Sequence, residues 1–318
     1  MTNGTSMKAL ALEGFDTPPE VIDVPIPAPG VGEVLVRVRA ASVNAYDTFV
    51  AAGMMRDYLP HEFPAVLGQD VAGVVAQVGE GVEGFVRGDR VFGTLGVKGV
   101  VHDGTFGELA TPQAASLSGT PENLNDEQAG TLGVAGTTAM SAVESVDPAD
   151  GATVVVVGAT GGVGMFAVQL AAGRGAHVIA SVRPGDEGFV TGLGAAETVD
   201  YTGDLAAVVR DRYPDGVDAL IDVVSRDPAG FAALVGLVHG GGRAASAVGA
   251  AGEQTEIGGV GVANIGGDPD HLAALGTLVA DGKLRAAIQR TYRLAEAAQA
   301  LTDFTSGHTV GKLIITIP

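Results

Sequence analysis

The sequence predicts an α/β protein in which a doubly wound parallel-sheet domain interrupts a β-rich one. Three observations predict it. Val154–Val157 is a run of four β-branched residues that enters the turn Gly158-Ala159-Thr160-Gly161-Gly162-Val163-Gly164. From there to residue 267, strand and helix patterns alternate. The first 125 residues instead show short strand patterns broken by Gly and Pro, a style that returns at the C-terminus.

Four β-branched residues in a row suit a strand buried on both faces. The glycines permit a tight turn and a close backbone approach to a ligand. Phe166, Gln169 and Leu170 then recur at helical spacing, so a helix begins at the turn with its free N–H groups and positive dipole end turned toward a phosphate. A second strand follows over residues 176–182. Strand, glycine turn, helix and strand together form the setting of a dinucleotide fingerprint. The spacing Gly158-x-x-Gly161-x-x-Gly164 is one residue longer at the front than G-x-G-x-x-G. NAD-preferring sites place Asp or Glu about 20 residues beyond the glycines, where it accepts from the ribose 2′-hydroxyl. This chain carries Ser181-Val182-Arg183 there. A guanidinium suits a 2′-phosphate, which predicts NADPH as the cofactor.

Composition excludes several functions. The 318 residues carry a formal net charge of −19, which opposes binding to nucleic acid and to anionic membranes. Cysteine is absent, removing disulfides, thiol nucleophiles and cysteine-built zinc sites. No apolar run reaches 18 residues, and Met1–Lys8 lacks the pattern of a signal peptide. A cytoplasmic location is the expectation, with residues 1–6 a loose extension.

In chain order, strands are expected over residues 7–12 and 33–40, within 65–75, after Gly88-Asp89-Arg90, and from Gly104 to Ala110. Their spacing predicts a barrel. Asn125-Asp126-Glu127-Gln128 has the chemistry of a helix start, with Asn as cap and Gln three residues on. The doubly wound strands fall near 153–158, 177–182, 197–200, 217–223 and 241–247. Asp227-Pro228 and Asp268-Pro269 each begin a helix. A helix over 294–306 and a strand over 310–317 return to the first domain. The domains are thus 1–127 with 268–318, and 128–267.

With these residues assembled, the chain resembles the medium-chain dehydrogenase/reductase superfamily, and within it the zinc-free quinone oxidoreductases of the ζ-crystallin-like branch. The resemblance rests on Ala41-Ser42-Val43-Asn44, Leu67-Gly68-x-Asp70-x-Ala72-Gly73-Val74-Val75, Gly88-Asp89-Arg90-Val91, Gly136-x-Thr138-Ala139, the glycine turn and Gly311-Lys312-Leu313, and runs nearly end to end. It implies a GroES-like β-barrel catalytic domain plus a Rossmann domain, with nicotinamide and substrate in the cleft between them. Zinc-dependent relatives carry Cys at the position of Asn44 and Gly-His-Glu at Gly68-Gln69-Asp70, so no metal is expected here. By resemblance, Asn44 and Thr138 lie near the nicotinamide and its ribose. Gly158, Gly161, Gly162 and Val163 meet the pyrophosphate, and Ser181, Arg183 and Tyr201 surround the adenosine phosphate. Val223 and Val248 end strands beneath the dinucleotide, and Lys312 reaches the cofactor.

Hydride transfer to a quinone or an α,β-unsaturated carbonyl needs positioning and a donor for the carbonyl oxygen more than a Lewis acid. Tyr46 and Tyr58, on loops lining the expected cleft, are the candidate donors, with Asn44 helping to orient. Each tyrosine reads equally as an apolar wall, and Asp47 as a residue that fixes its loop. Two further readings stand beside a quinone or enone reductase: an enoyl-thioester reductase, and a non-catalytic NADPH-binding sensor or structural protein. Thr255–Val262 reads as an edge strand of the parallel sheet, which predicts a homodimer.

Overall fold

The structure, a computed structural model, describes residues 5–318. Most of the expected N-terminal extension lies outside the described residues; Ser6 already begins a strand. The chain divides into two compact units, one comprising residues up to Val134 together with Pro269–Pro318, the other Ala135–Asp268. Among the described residues no helix is long and apolar enough to cross a membrane.

In the first unit, Ser6–Leu12 pairs antiparallel with Glu20–Pro25 on one side and Ala65–Val66 on the other. A second sheet runs in the order Ile288–Arg293, Lys312–Thr316, Val34–Ser42, Asp70–Val78, Arg90–Thr94, Leu117–Gly119, with Leu109–Ala110 also on Val34–Ser42. Val34, Val36 and Val38 are fully buried while Arg37 and Arg39 are half-exposed, the alternation of a strand with one face in the core. The two sheets are joined at a seam where Leu10 N donates to Phe106 O and Ala9 bridges Gly107. The joined sheets form the β-rich body expected of a GroES-like domain. The strand expected from Gly104 shortens to Leu109–Ala110. A Cβ on Gly104 would stand 2.2 Å from Val66 O, so this segment crosses another backbone too closely to alternate.

One long-range pairing matters most for function. Lys312–Thr316 lies antiparallel to the end of Val34–Ser42, with Ile314 opposite Ser42 and Ile315 opposite Ala41. Val43 N donates to Leu313 O. The C-terminal strand thereby delivers Lys312 beside the residues that leave Ser42. There the chain turns into the helix Ala45–Ala51, so Tyr46 and Asp47 sit on a helix rather than on the expected loop.

The second unit is a seven-stranded sheet ordered Glu197–Asp200, His177–Val182, Thr153–Val157, Val217–Asp222, Val238–Ser246, Val260–Asn264, Glu256–Ile257. All neighbours are parallel except the last pair. Val154, Val155 and Val156 are 0–1% exposed, as a strand covered on both faces requires. Asp227 Oδ2 accepts from Gly230 N with Pro228 in the first turn, and Asn125 in the first unit accepts from Gln128 N. The stretch 255–262 is a tight hairpin rather than one edge strand. Gly258 and Gly259 at φ 58° and 84° turn Glu256–Ile257 back on Val260–Asn264, which itself pairs inward with Val238–Ser246.

Candidate active site

The glycine turn is built by close approach. Gly158 has φ 82°, and a Cβ there would stand 2.4 Å from Val224 Cγ2 and 2.8 Å from Val223 Cγ2. A Cβ on Gly164 would stand 2.1 Å from Gly158 O, so the first helical turn rests on the loop. Gly161 differs: its nearest neighbour would be Gly158 O at 3.5 Å, leaving room in front of the turn. Gly161 caps the helix Gly162–Gly173 without a side-chain hydrogen bond, and no acid lies in the first turn. The leading N–H groups are therefore open to an anion. These residues fit a dinucleotide pyrophosphate.

Ser181 stands behind this turn. Its Oγ accepts from Gly158 N at 2.9 Å and the residue is 1% exposed. It holds the glycine loop to the neighbouring strand, which is a different task from the phosphate contact expected of it. Arg183 and Tyr201 are brought together by the parallel register that sets Val182 beside Asp200. Arg183 Nε donates to Tyr201 OH at 2.5 Å, and the guanidinium lies 5.7 Å from the tyrosine ring centre. Arg183 is exposed, and this pairing spends one of its five donors. An exposed guanidinium backed by a phenol fits a ribose 2′-phosphate.

Thr138 lies in the first turn of Thr137–Val146 and is 6% exposed, with Gly267 packed against Thr137 and Thr138. Val223 and Val248 follow the ends of Val217–Asp222 and Val238–Ser246. Asp222, which the sequence reading passed over, is fully buried at that strand end. Its Oδ1 accepts from Val224 N and Ser225 N, fixing the turn that carries the two valines against Gly158.

In the first unit the central feature is a buried polar cluster. Asn44 Nδ2 donates to Asp70 Oδ2 at 2.9 Å and to Ser42 O at 3.2 Å, while its Oδ1 accepts from Lys312 Nζ at 2.6 Å. Lys312 Nζ also donates to Val43 O at 2.9 Å and lies 3.8 Å from Asp70 Oδ2. Ser42 Oγ donates to Asp70 Oδ2, and Val134 N to Asp70 Oδ1 at 2.6 Å. Asp47 Oδ2 accepts from Asn44 N at 2.8 Å, and its Oδ1 is buried without a partner. Burial pushes the Asp47 carboxyl up to about 8, with the Asn44 N–H and Lys312 opposing and Asp70 adding. Burial lowers the Lys312 ammonium from its usual value, against the pull of Asp70 and Asp47.

Asn44 therefore has both amide protons committed inside the protein, to Ser42 O and Asp70 Oδ2. Lys312, expected at the cofactor, is 4% exposed with its ammonium turned inward. Asp70 thus meets an ammonium and three hydrogen-bond donors, which leave both of its oxygens committed inside the protein.

Tyr46 is half-buried against the core; burial raises its phenol above the usual value, with Asp47 adding, so it stays protonated as a donor. Tyr58 is 78% exposed. His61 packs among Phe15 and Phe63, ring centres 4.8 and 6.1 Å away, with Nδ1 2.8 Å from Leu59 O. Ser42, Asp70 and Asp47 entered the sequence reading as motif letters or as a loop anchor; no local signal shows that they share one buried site.

A family model described as an alcohol dehydrogenase GroES-like domain matches residues 30–122, and one described as a zinc-binding dehydrogenase matches residues 193–315. A chloroplastic quinone oxidoreductase from Triphysaria versicolor is 29% identical over 328 residues, covering 98% of this chain and 99% of its own. An acryloyl-coenzyme A reductase from Metallosphaera sedula is 32% identical over 58% of this chain and 61% of its own length. In another relative the matched stretch likewise spans only 64% of that protein. The solved structure of a quinone oxidoreductase from Coxiella burnetii has a TM-score of 0.87 at 27% identity, covering 98% of this chain and all of that one.

Proposed function

This chain belongs to the medium-chain dehydrogenase/reductase superfamily, and we propose that it is an NADPH-dependent reductase of quinones or α,β-unsaturated carbonyls that works without a metal. The observation that carries the reading is the Arg183–Tyr201 pair beside the glycine turn. N–H groups of Gly162 and Val163 receive the pyrophosphate, with Gly161, whose own N–H donates to Gly158 O, leaving room for it, and Arg183 with Tyr201 receives the 2′-phosphate. Thr138, Val223 and Val248 border the ribose and nicotinamide end.

The bound nicotinamide supplies a hydride to an electrophilic carbon of the substrate. The chain's own residues supply position and a hydrogen bond. Tyr46, protonated and half-buried, donates to the carbonyl oxygen as negative charge develops there, and solvent delivers the proton that completes reduction. An activated acceptor needs no stronger polarisation, whereas an alcohol would find nothing here to stabilise an alkoxide.

The likeness to an acryloyl-coenzyme A reductase favours a second reading, an enoyl-thioester reductase. Rates with NADPH and 9,10-phenanthrenequinone, a small enone and crotonyl-CoA, on enzyme dialysed against a strong chelator, separate the readings. Preferred turnover of quinone or enone supports the first, preference for crotonyl-CoA the second. Binding of NADPH without turnover of any of the three indicates a sensor. Zinc-dependent recovery of activity contradicts the metal-free mechanism. The edge strand Glu256–Ile257 supports a homodimer; a monomer mass by light scattering at micromolar concentration contradicts it.

A further inference from the structure

Three acceptors converge on one cation in the first unit. Val43 O lies 2.9 Å and Asn44 Oδ1 2.6 Å from Lys312 Nζ, with Asp70 Oδ2 at 3.8 Å. Val43 and Asn44 form the turn between the strand Val34–Ser42 and the helix Ala45–Ala51, and Asp70 begins the neighbouring strand Asp70–Val78. Asn44 is held at its other end by Asp70 and Ser42, and its backbone N–H by Asp47. The cluster has no slack: a Cβ on Gly133 would stand 2.4 Å from Asp70 Oδ1. Take the ammonium away and Val43 O and Asn44 Oδ1 lose the donor they share, while Asp70 keeps its hydrogen bonds from Asn44, Ser42 and Val134 but loses the positive charge beside it, which a buried site tolerates poorly. The first residue with a free functional group beyond this turn is Tyr46, two positions after Asn44.

We propose that Lys312 is a positioning residue: its ammonium clamps the Val43–Asn44 turn and so sets where the helix begins and where the Tyr46 hydroxyl lies. This rests on the reductase reading above, in which Tyr46 donates to the substrate. It assigns Lys312 no direct contact with the dinucleotide, because two of its three protons are already spent inside the unit and the third faces Asp70.

The test uses the full-length protein and the variants Lys312→Met, Tyr46→Phe and both together. NADPH affinity, titrated by cofactor fluorescence without substrate, should stay within about threefold of wild type in Lys312→Met. At saturating NADPH, kcat for an enone should fall at least tenfold. In the Tyr46→Phe background the same substitution should cost less than about threefold more, since the residue acts through a hydroxyl already removed. A tenfold or greater loss of NADPH affinity, with kcat restored at saturation, makes Lys312 a cofactor contact and overturns the proposal. Fully multiplicative losses overturn it as well, since the clamp would then act elsewhere than on Tyr46. If Lys312→Met does not fold, Lys312→Met/Asp70→Asn removes both charges and carries the same comparisons. A melting-temperature cycle between Lys312→Met and Asn44→Ala needs no turnover: coupled losses support the clamp, and additive losses remove it. A wild-type protein that shows this coupling but reduces none of the substrates contradicts the reductase reading and leaves the clamp standing.

Discussion

Asn44 and Lys312, 268 positions apart, are joined by a 2.6 Å hydrogen bond inside the first unit. The carboxamide orientation follows from its partners: only an oxygen can face the ammonium, and only the amino group can face Asp70. One ammonium cannot balance two buried carboxylates, and the carboxylate with fewer donors, Asp47, is the one that keeps its proton.

Asp47 therefore makes stability depend on pH. In the unfolded chain its carboxyl titrates near its ordinary value of about 4; folded, it titrates at about 8. Below the lower value both states are protonated and the contribution is fully present. Between the two values the folded chain holds a proton that the unfolded chain has lost, so stability falls as pH rises through the window. Asp47→Asn, neutral at every pH, should match wild type most closely at or below about pH 4 and gain on it steadily up to about pH 8. Urea melts at four pH values measure the difference; parallel curves would show that Asp47 is ionised throughout.

The glycine turn separates fold from binding at two neighbouring positions. Gly164→Ala drives a Cβ into Gly158 O and should cost about 1–3 kcal/mol of stability or more. Gly161→Ala meets nothing closer than 3.5 Å at an ordinary φ of −75°, so stability should change by less than about 1 kcal/mol. Its methyl group faces the space assigned to the pyrophosphate, and NADPH affinity should drop at least tenfold. Intact NADPH binding in Gly161→Ala would move the phosphate away from this turn.

Much of this architecture is legible in the sequence because it is local. The run of valines, the glycine spacing, Asn125 and Asp227 each announce an element within a few residues of themselves. The buried cluster is not local. Lys312 reaches Asn44 only because Ile314 pairs with Ser42, and a register across the whole chain leaves no mark in either segment. Ser181 misleads for a related reason: a hydroxyl at the end of the second strand suits a phosphate as well as a neighbouring glycine N–H, and the fold chooses the latter. The edge hairpin does have a local signal, Gly258-Gly259 between two apolar runs, since both positions of such a two-residue turn need positive φ.

The two tyrosines should respond differently to loss of the hydroxyl. Tyr46→Phe keeps the ring in the core and should lower kcat for a small enone by about 10²-fold, the usual effect of losing one such donor, with little change in KM. Tyr58, largely exposed, should tolerate Phe with less than a threefold change. Steady-state kinetics on the two variants decide the matter, and full enone activity in Tyr46→Phe would leave positioning and solvent as the whole mechanism.

The most direct measurement is the choice between cofactors, because the account places Arg183 and Tyr201 where a 2′-phosphate would lie. Dissociation constants of NADPH and NADH should be titrated for wild type and Arg183→Ala, alongside initial rates with 9,10-phenanthrenequinone. Wild type should favour NADPH in both measures. Arg183→Ala should weaken NADPH binding by about 1.5–3 kcal/mol, the worth of hydrogen bonds to a charged group, and leave NADH nearly unchanged. Preference of the wild type for NADH, or equal loss of both cofactors in the variant, would contradict the account.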